Sequence, residues 1–206
     1  MSMHFPSGIN CPPYETADGF LQTTRGCSHN HCLFCTYFKD QKFCKSPIEE
    51  IESDIKEITA YFGAPKRIFL QGADGFAADY DVLMKTAELL HKYVPSVESI
   101  GGYARIDNFY DKTGEQLRNL ASVGYSNPYI GVESGEMEKM EEIHELVRCL
   151  TNDTVFMNEH ASNLFHVECL IPEKKDELLS YISKFMESHD ETQFRKYREQ
   201  ITRAFL

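Results

Sequence analysis

Three cysteines stand within nine residues of the stretch GCSHNHCLFC: Cys27, Cys32 and Cys35, spaced C-x4-C-x2-C, with His29 and His31 between the first two. Thiolates are soft donors that hold zinc or iron–sulfur clusters. Three of them fall one ligand short of a closed tetrahedral site. Three occupants compete for the pattern. Zinc would take His29 or His31 as fourth ligand, although structural zinc sites usually use paired C-x2-C knuckles. A plant-type 2Fe–2S centre starts with this spacing and ends on a distant cysteine; Cys44 is too near for that, and Cys149 falls in a helical stretch. A 4Fe–4S cluster held by three cysteines would leave one iron open to a small molecule, and the missing ligand would then mark the working position.

The surrounding elements say where this loop sits. GFLQTT, 19–24, reads as a short strand that runs directly into the cysteines. In SPIEEIESDIKEITAYF, Ser46, Pro47 and Glu49 read as N-cap, first-turn proline and capping-box partner. Ile48, Ile51, Ile55 and Ile58 then recur at helical spacing, until Gly63 and Pro65 end the helix. KRIFLQG (66–72), SIGGYARI (99–106) and PYIGVESG (128–135) read as further strands. The stretches 79–94, 113–124 and 136–150 read as helices. Strands alternating with helices over short loops predict an α/β fold with a parallel sheet. DTVFMN, 153–158, is a candidate fifth strand. ASNLFHVECLIPE reads as loop or short strand, and 175–189 and 191–206 as terminal helices. The expected divisions are an arm over 1–17, a partial βα barrel over 18–158 with about four to five units, and a C-terminal helical extension over 159–206.

Parallel α/β sheets hold their ligands at the carboxyl ends of the strands. Each polar or glycine-rich motif here falls at such an end: the cysteines, QGADGF, YARIDN and GVESG. Four strand ends of this kind point to one shared site. Arg105 could pair with a carboxylate of a ligand, or with Asp107 in an ion pair. Asp74 could serve the ligand or cap the next turn. His29 and His31 read mainly as loop residues. Cys11, Cys44, Cys149 and Cys169 read as packing or surface thiols, and Tyr37 and Lys39 carry no assignment.

Bulk composition narrows the partners. The chain has 206 residues and a formal net charge of -11. It has no Lys/Arg run of the kind that neutralises phosphates, which disfavours nucleic acid. No stretch approaches about 18 apolar residues, so no membrane span is expected. The amino terminus lacks a charged-then-apolar signal pattern. Seven cysteines, three of them clustered, fit a reduced cytoplasmic protein using thiolates as ligands better than a disulfide framework.

With the cysteines on the loop after a first strand and Phe34 immediately before Cys35, the chain resembles the radical S-adenosylmethionine (radical SAM) enzymes. Their usual spacing is C-x3-C-x2-C; GCSHNHCLFCTYF resembles a subgroup with the longer first gap. The likeness spans about 19–135. It implies a 4Fe–4S cluster on Cys27, Cys32 and Cys35, and S-adenosylmethionine chelated through the open iron. It also implies an electron donor such as flavodoxin or ferredoxin and an unknown substrate. Phe34 would lie near the adenine or simply cover the cluster. Gly72, Ala73 and Asp74 would occupy the family's Gly-Gly-Glu-like turn, which takes hydrogen bonds from the methionine amine. Glu133 and Ser134 would meet the ribose or methionine part, and Arg105 a carboxylate. No catalytic residue is assigned. The family's six-unit barrel is not matched in full: the step from HELVRCL to TNDTVFMN reads as a join where further strands would lie. A non-catalytic iron–sulfur or zinc module derived from such an enzyme is the alternative expectation.

Overall fold

The computed structural model describes residues 3–4, 9–12, 15–32, 35, 37–131, 137–157 and 167–196. The chain divides into two compact units, Met1–Gly131 and Val132–Leu206. The expected boundary at 158/159 falls inside the second of these.

The first unit is an α/β sheet with its helices packed on one face. Four strands run parallel in the order β1-β4-β5-β6: β1 (Gly19–Gln22), β4 (Arg67–Gln71), β5 (Ser99–Ala104) and β6 (Tyr125–Ile130). The helices α1 (Ile48–Phe62), α2 (Tyr80–Tyr93) and α3 (Gly114–Ser122) connect them. Side chains alternate across a pleated sheet. Leu21, Ile68, Leu70 and Ile100 therefore face the helices, where they pack with Ile51, Ile55, Ile58, Leu83 and Leu90, each fully buried. The isoleucine spacing of α1 is thus the inward stripe that its periodicity predicted.

Two local expectations need correction. Ser46 does not cap α1: the helix starts at Ile48 behind Pro47, with no side-chain cap bond. The Ser46 hydroxyl is instead 3.0 Å from His4 Nε2, whose ring also contacts Asp54 of α1. The fourth strand starts at Tyr125, three residues before the expected Pro128. Gly124, at φ 103, turns the chain straight from α3 into β6. The strand tolerates Pro128 because its ladder is irregular just before it, at Asn127 with φ 50, and because it ends the strand order.

The first expected strand is also split. After β1, the residues of β2 (Thr24–Arg25) pair antiparallel with β3 (Cys44–Lys45). This short ladder closes the neck of a loop, 26–43, that carries the cysteines.

In the second unit, α4 (Met137–Cys149) and α5 (Lys175–Ser188) pack with a hairpin of β7 (Thr154–Met157) and β8 (Glu168–Ile171). Its core joins Met140, Ile143, Val147, Ile171, Leu178, Ile182 and Phe194. Residues 191–196 are helical. The candidate fifth strand exists as β7, but it pairs antiparallel with β8 in a separate sheet. It therefore adds no fifth parallel unit among the described residues. No described helix is long and apolar enough to cross a membrane.

Candidate functional site at the carboxyl edge of the sheet

The loop 26–43 is shaped by its own backbone. Gly26 sits at φ 72, where an added Cβ would stand 3.2 Å from the Gln41 carbonyl. Asn30, at φ 48, donates its N–H to Cys27 Sγ at 3.4 Å and its side-chain amide to the Phe38 carbonyl at 2.9 Å. Lys39 donates to the carbonyls of Asn30 and Cys32, both at 2.9 Å. Sequence reasoning left Lys39 without a role. It straps the loop together and places a cation against the backbone of the cysteine loop. Cys27, Cys32 and Cys35 are all partly exposed and free of disulfides.

The loop reaches the end of the second parallel strand at Asp74. Ser28 donates both its backbone N–H, at 3.2 Å, and its hydroxyl to Asp74 Oδ2. Asp74 precedes a 3-10 turn, Gly75–Ala77, but its carboxylate makes no cap bond to it, so the capping alternative does not hold. The residue is fully buried, and its second oxygen, Oδ1, has no hydrogen-bond partner among the described residues. Burial pushes the Asp74 carboxyl above its ordinary range; the Ser28 bonds and the charge of Arg105 pull the other way without cancelling it.

Gly72 makes this approach possible. It sits at φ 104, and a Cβ there would lie 2.8 Å from the Thr24 carbonyl oxygen. The strand end and the root of the cysteine loop therefore touch backbone to backbone, as only glycine allows. Thr24 and Thr23 fasten the contact from the other side, donating to the carbonyls of Asp74 at 3.1 Å and Gly75 at 2.8 Å. Ala73 lies between, half-buried.

The third strand end joins the same edge. Arg105 Nη2 pairs with Asp107 Oδ2, and the backbone N–H of Arg105 donates to Asn108 Oδ1 at 2.7 Å. Arg105 is thus engaged in the ion-pair alternative, while its charge still acts on Asp74. The Asp107 carboxyl is held below its ordinary range, first by Arg105 and more weakly by His29 of the cysteine loop. Cysteine loop, Asp74 turn and Arg105 turn therefore meet in one place. Phe34, Glu133 and Ser134 lie outside the described residues.

Among the described residues, the buried side-chain polar atoms without a partner are Gln22 Oε1, Arg25 Nε, Gln71 Nε2 and Asp74 Oδ1. Gln22 and Gln71 end β1 and β4, Arg25 ends β2, and Asp74 lies in the turn after β4. Gln22, Arg25 and Gln71 were missed from sequence. A signal existed: β1 and β4 both end in Phe-Leu-Gln, a polar residue closing an apolar run, and the two glutamines stand opposite each other in register. The remaining cysteines are scattered: Cys169 is buried in the second unit, Cys149 and Cys44 are exposed, and Cys11 is half-buried. Burial pushes both the Cys11 and the Cys169 thiols up.

Among the described residues no three His, Cys, Asp or Glu side chains converge as ligands of a single metal ion. An iron–sulfur cluster asks for a different arrangement, because its cysteines bind different irons. No protein-family model matches the chain, and no curated protein matches it.

Proposed function

We propose that this chain is a radical SAM-type protein whose first unit is part of a βα barrel of that kind. Cys27, Cys32 and Cys35 would hold a 4Fe–4S cluster, and the Gly72–Asp74 turn would bind S-adenosylmethionine. The observation that carries the reading is Asp74: a fully buried carboxylate at a strand end, tied by one oxygen to the residue after Cys27 and with the other oxygen unpartnered. A buried acceptor without a donor costs about 1–3 kcal/mol, and an ammonium group is the natural complement to a carboxylate oxygen in such a place. The methionine part of S-adenosylmethionine carries one.

A cluster held by Cys27, Cys32 and Cys35 would supply the electron for reductive cleavage of the S-adenosylmethionine sulfonium, with methionine as leaving group and 5′-deoxyadenosine formed once a substrate hydrogen has been taken. The chain's own residues position and enclose. Asp74 accepts from the amine. Gly72 lets the backbone come within contact of the loop root. Ser28 couples Asp74 to the cysteine loop, so that cluster and amine site keep a common frame. Arg105 offers a guanidinium beside the same turn, and exchange of Asp107 for a ligand carboxylate would keep its charge paired. Phe34 would cover the cluster or the adenine, and Glu133 and Ser134 would complete the ribose side. A flavodoxin or ferredoxin in a reduced cytoplasm would supply electrons. Nucleic acid and membrane are not partners in this reading.

The test is anaerobic reconstitution with iron and sulfide. A brown protein should release 5′-deoxyadenosine from S-adenosylmethionine on reduction, and Cys32→Ala and Asp74→Ala should lose that release, the second with its cluster intact. A fully loaded protein that releases none would sink the catalytic reading. A second reading has one observation in its favour: among the described residues the parallel sheet has four strands, and β7 pairs with β8 in a separate hairpin. That favours a non-catalytic iron–sulfur module, brown but unable to cleave S-adenosylmethionine. A zinc module would be colourless, with stoichiometric zinc.

A further inference from the structure

The sheet face turned away from the helices carries a second set of ligand-directed groups. By register and pleat, Gln22, Gln71, Phe69, Tyr103 and Tyr129 share that face. Phe69 meets Tyr103 edge-on at 5.3 Å and Tyr129 at 6.0 Å, forming an aromatic layer. Below it, Arg67 Nε and Glu15 Oε1 form an ion pair at 2.7 Å, so the charges on this face neutralise each other. Above it, at the last position of each strand, stand Gln22 and Gln71, paired in register and each only 3% exposed.

The two carboxamides are not equivalent. Asn10 donates its backbone N–H to Gln71 Oε1 at 2.8 Å, which leaves Gln71 Nε2 a buried donor with no partner among the described residues. Gln22 Oε1 is an acceptor without a partner. Neighbouring strands lie about 4.8 Å apart. The pair thus presents one donor beside one acceptor, over aromatic rings. A carboxylate would suit Gln71 and be repelled by Gln22; an ammonium would do the reverse. A group with N–H and C=O on one edge satisfies both at once.

We propose that Gln22 and Gln71 bind a neutral cyclic amide, a lactam edge of the kind found in pyridones and pyrimidinediones, with its ring toward the aromatic layer. Gln71 donates to the ligand carbonyl and Gln22 accepts from the ligand N–H. Asn10 keeps its bond to Gln71 Oε1 in the bound state. That this ligand is the substrate attacked at the neighbouring edge rests on the radical SAM reading above; the binding itself needs neither cluster nor S-adenosylmethionine.

The test titrates the full chain, with and without cluster, using 2-pyridone as probe and N-methyl-2-pyridone, which lacks the N–H, as control. Ligand-observed NMR should show 2-pyridone binding with an affinity on the order of millimolar, fitting a small fragment. The N-methyl compound should bind about tenfold more weakly, as loss of one hydrogen bond requires. Gln22→Leu should lose the preference between the two probes while keeping its urea midpoint, because it removes an unsatisfied group. Gln71→Glu keeps the acceptor for Asn10 but removes the donor, and should weaken 2-pyridone about tenfold. Absence of binding to the wild-type chain would mean that a buried water alone serves the pair, and would overturn the proposal. Equal binding of both probes, or an unchanged preference in a folded Gln22→Leu, would overturn it as well. Lactam binding with no 5′-deoxyadenosine release would strike only the catalytic reading.

Discussion

Replacing Gly72 by alanine probes the contact on which the site depends. The backbone there is at φ 104, and the new Cβ would lie 2.8 Å from the Thr24 carbonyl oxygen. A non-glycine residue in such a sparsely populated region costs about 1–3 kcal/mol. Relieving the overlap costs about 1–3 kcal/mol more, because the obstacle is backbone and cannot swing aside. The expected loss is about 3 kcal/mol, or a fall in Tm of roughly 6–12 °C for a chain of this size. Gly63 supplies the control. It sits at φ 73 and ψ -120 with nothing within 4 Å of a built Cβ, so Gly63→Ala carries the backbone cost alone, about 1–3 kcal/mol. Urea unfolding followed by far-UV circular dichroism and by tyrosine emission, the chain having no tryptophan, measures both variants; the two signals must coincide for a single free energy to be read. If Gly72→Ala costs no more than Gly63→Ala, the close approach of strand end and loop root is not a constraint. If it costs more but 5′-deoxyadenosine release per folded molecule is unchanged, the constraint serves the fold and not the ligand.

Three further outcomes follow from the same contacts. Asp74, raised in the folded state by burial, favours the fold most below the unfolded carboxyl pKa of about 3.9 and gives part of that up as pH rises through its folded value; Asp74→Asn should therefore gain on the wild type between pH 4 and neutrality in urea melts, and parallel curves would refute this. Burial pushes the Glu15 carboxyl up, but hydrogen bonding and charge from Arg67, with Tyr129, outweigh it and hold the group below its usual range. Its contribution is present above about pH 4.3, the unfolded value, and lost as pH falls through the folded one; Glu15→Gln should be less stable than wild type at pH 7, the gap closing in acid. Tyr125 is buried and donates to the Leu83 carbonyl at 2.8 Å, so Tyr125→Phe should cost about 1 kcal/mol, read as a lower urea midpoint with unchanged slope.

The helices and their order were legible because each carries its own evidence: the isoleucines of α1 report their buried face directly. Partnerships were less legible. Ser46 has the chemistry of a cap and stands one residue before Pro47, yet its hydroxyl is taken by His4, 42 positions away in sequence. β7 has a strand's composition, but composition does not say which strand it will pair with; its partner β8 lies in a stretch read as loop or short strand. The cysteines and Asp74 stand out in the sequence because their motifs are local. Gln22 and Gln71 do not, because their meaning arises only when two strands distant in sequence are laid side by side.

The distribution of unsatisfied groups bears on why this edge is built as it is. An unpartnered buried polar atom costs about 1–3 kcal/mol, against a total stability of about 5–15 kcal/mol for a typical domain. A sheet selected for stability alone would end β1 and β4 in apolar residues, as the helix-facing Leu21 and Leu70 show it can. Instead the described orphan atoms gather at one edge: two amide atoms, a guanidinium nitrogen and a carboxylate oxygen. Buried water would satisfy the amides. It explains less well why a carboxylate is buried at the same place, bound through Ser28 to the cysteine loop, beside a glycine whose conformation brings that loop into contact. The proposed ligand, with an ammonium group beside a cluster and a neutral partner on the glutamines, would account for the three features together. The arrangement also sets an order of effects. Gln22→Leu should remove selectivity without loss of stability, whereas Gly72→Ala should remove stability and chemistry together.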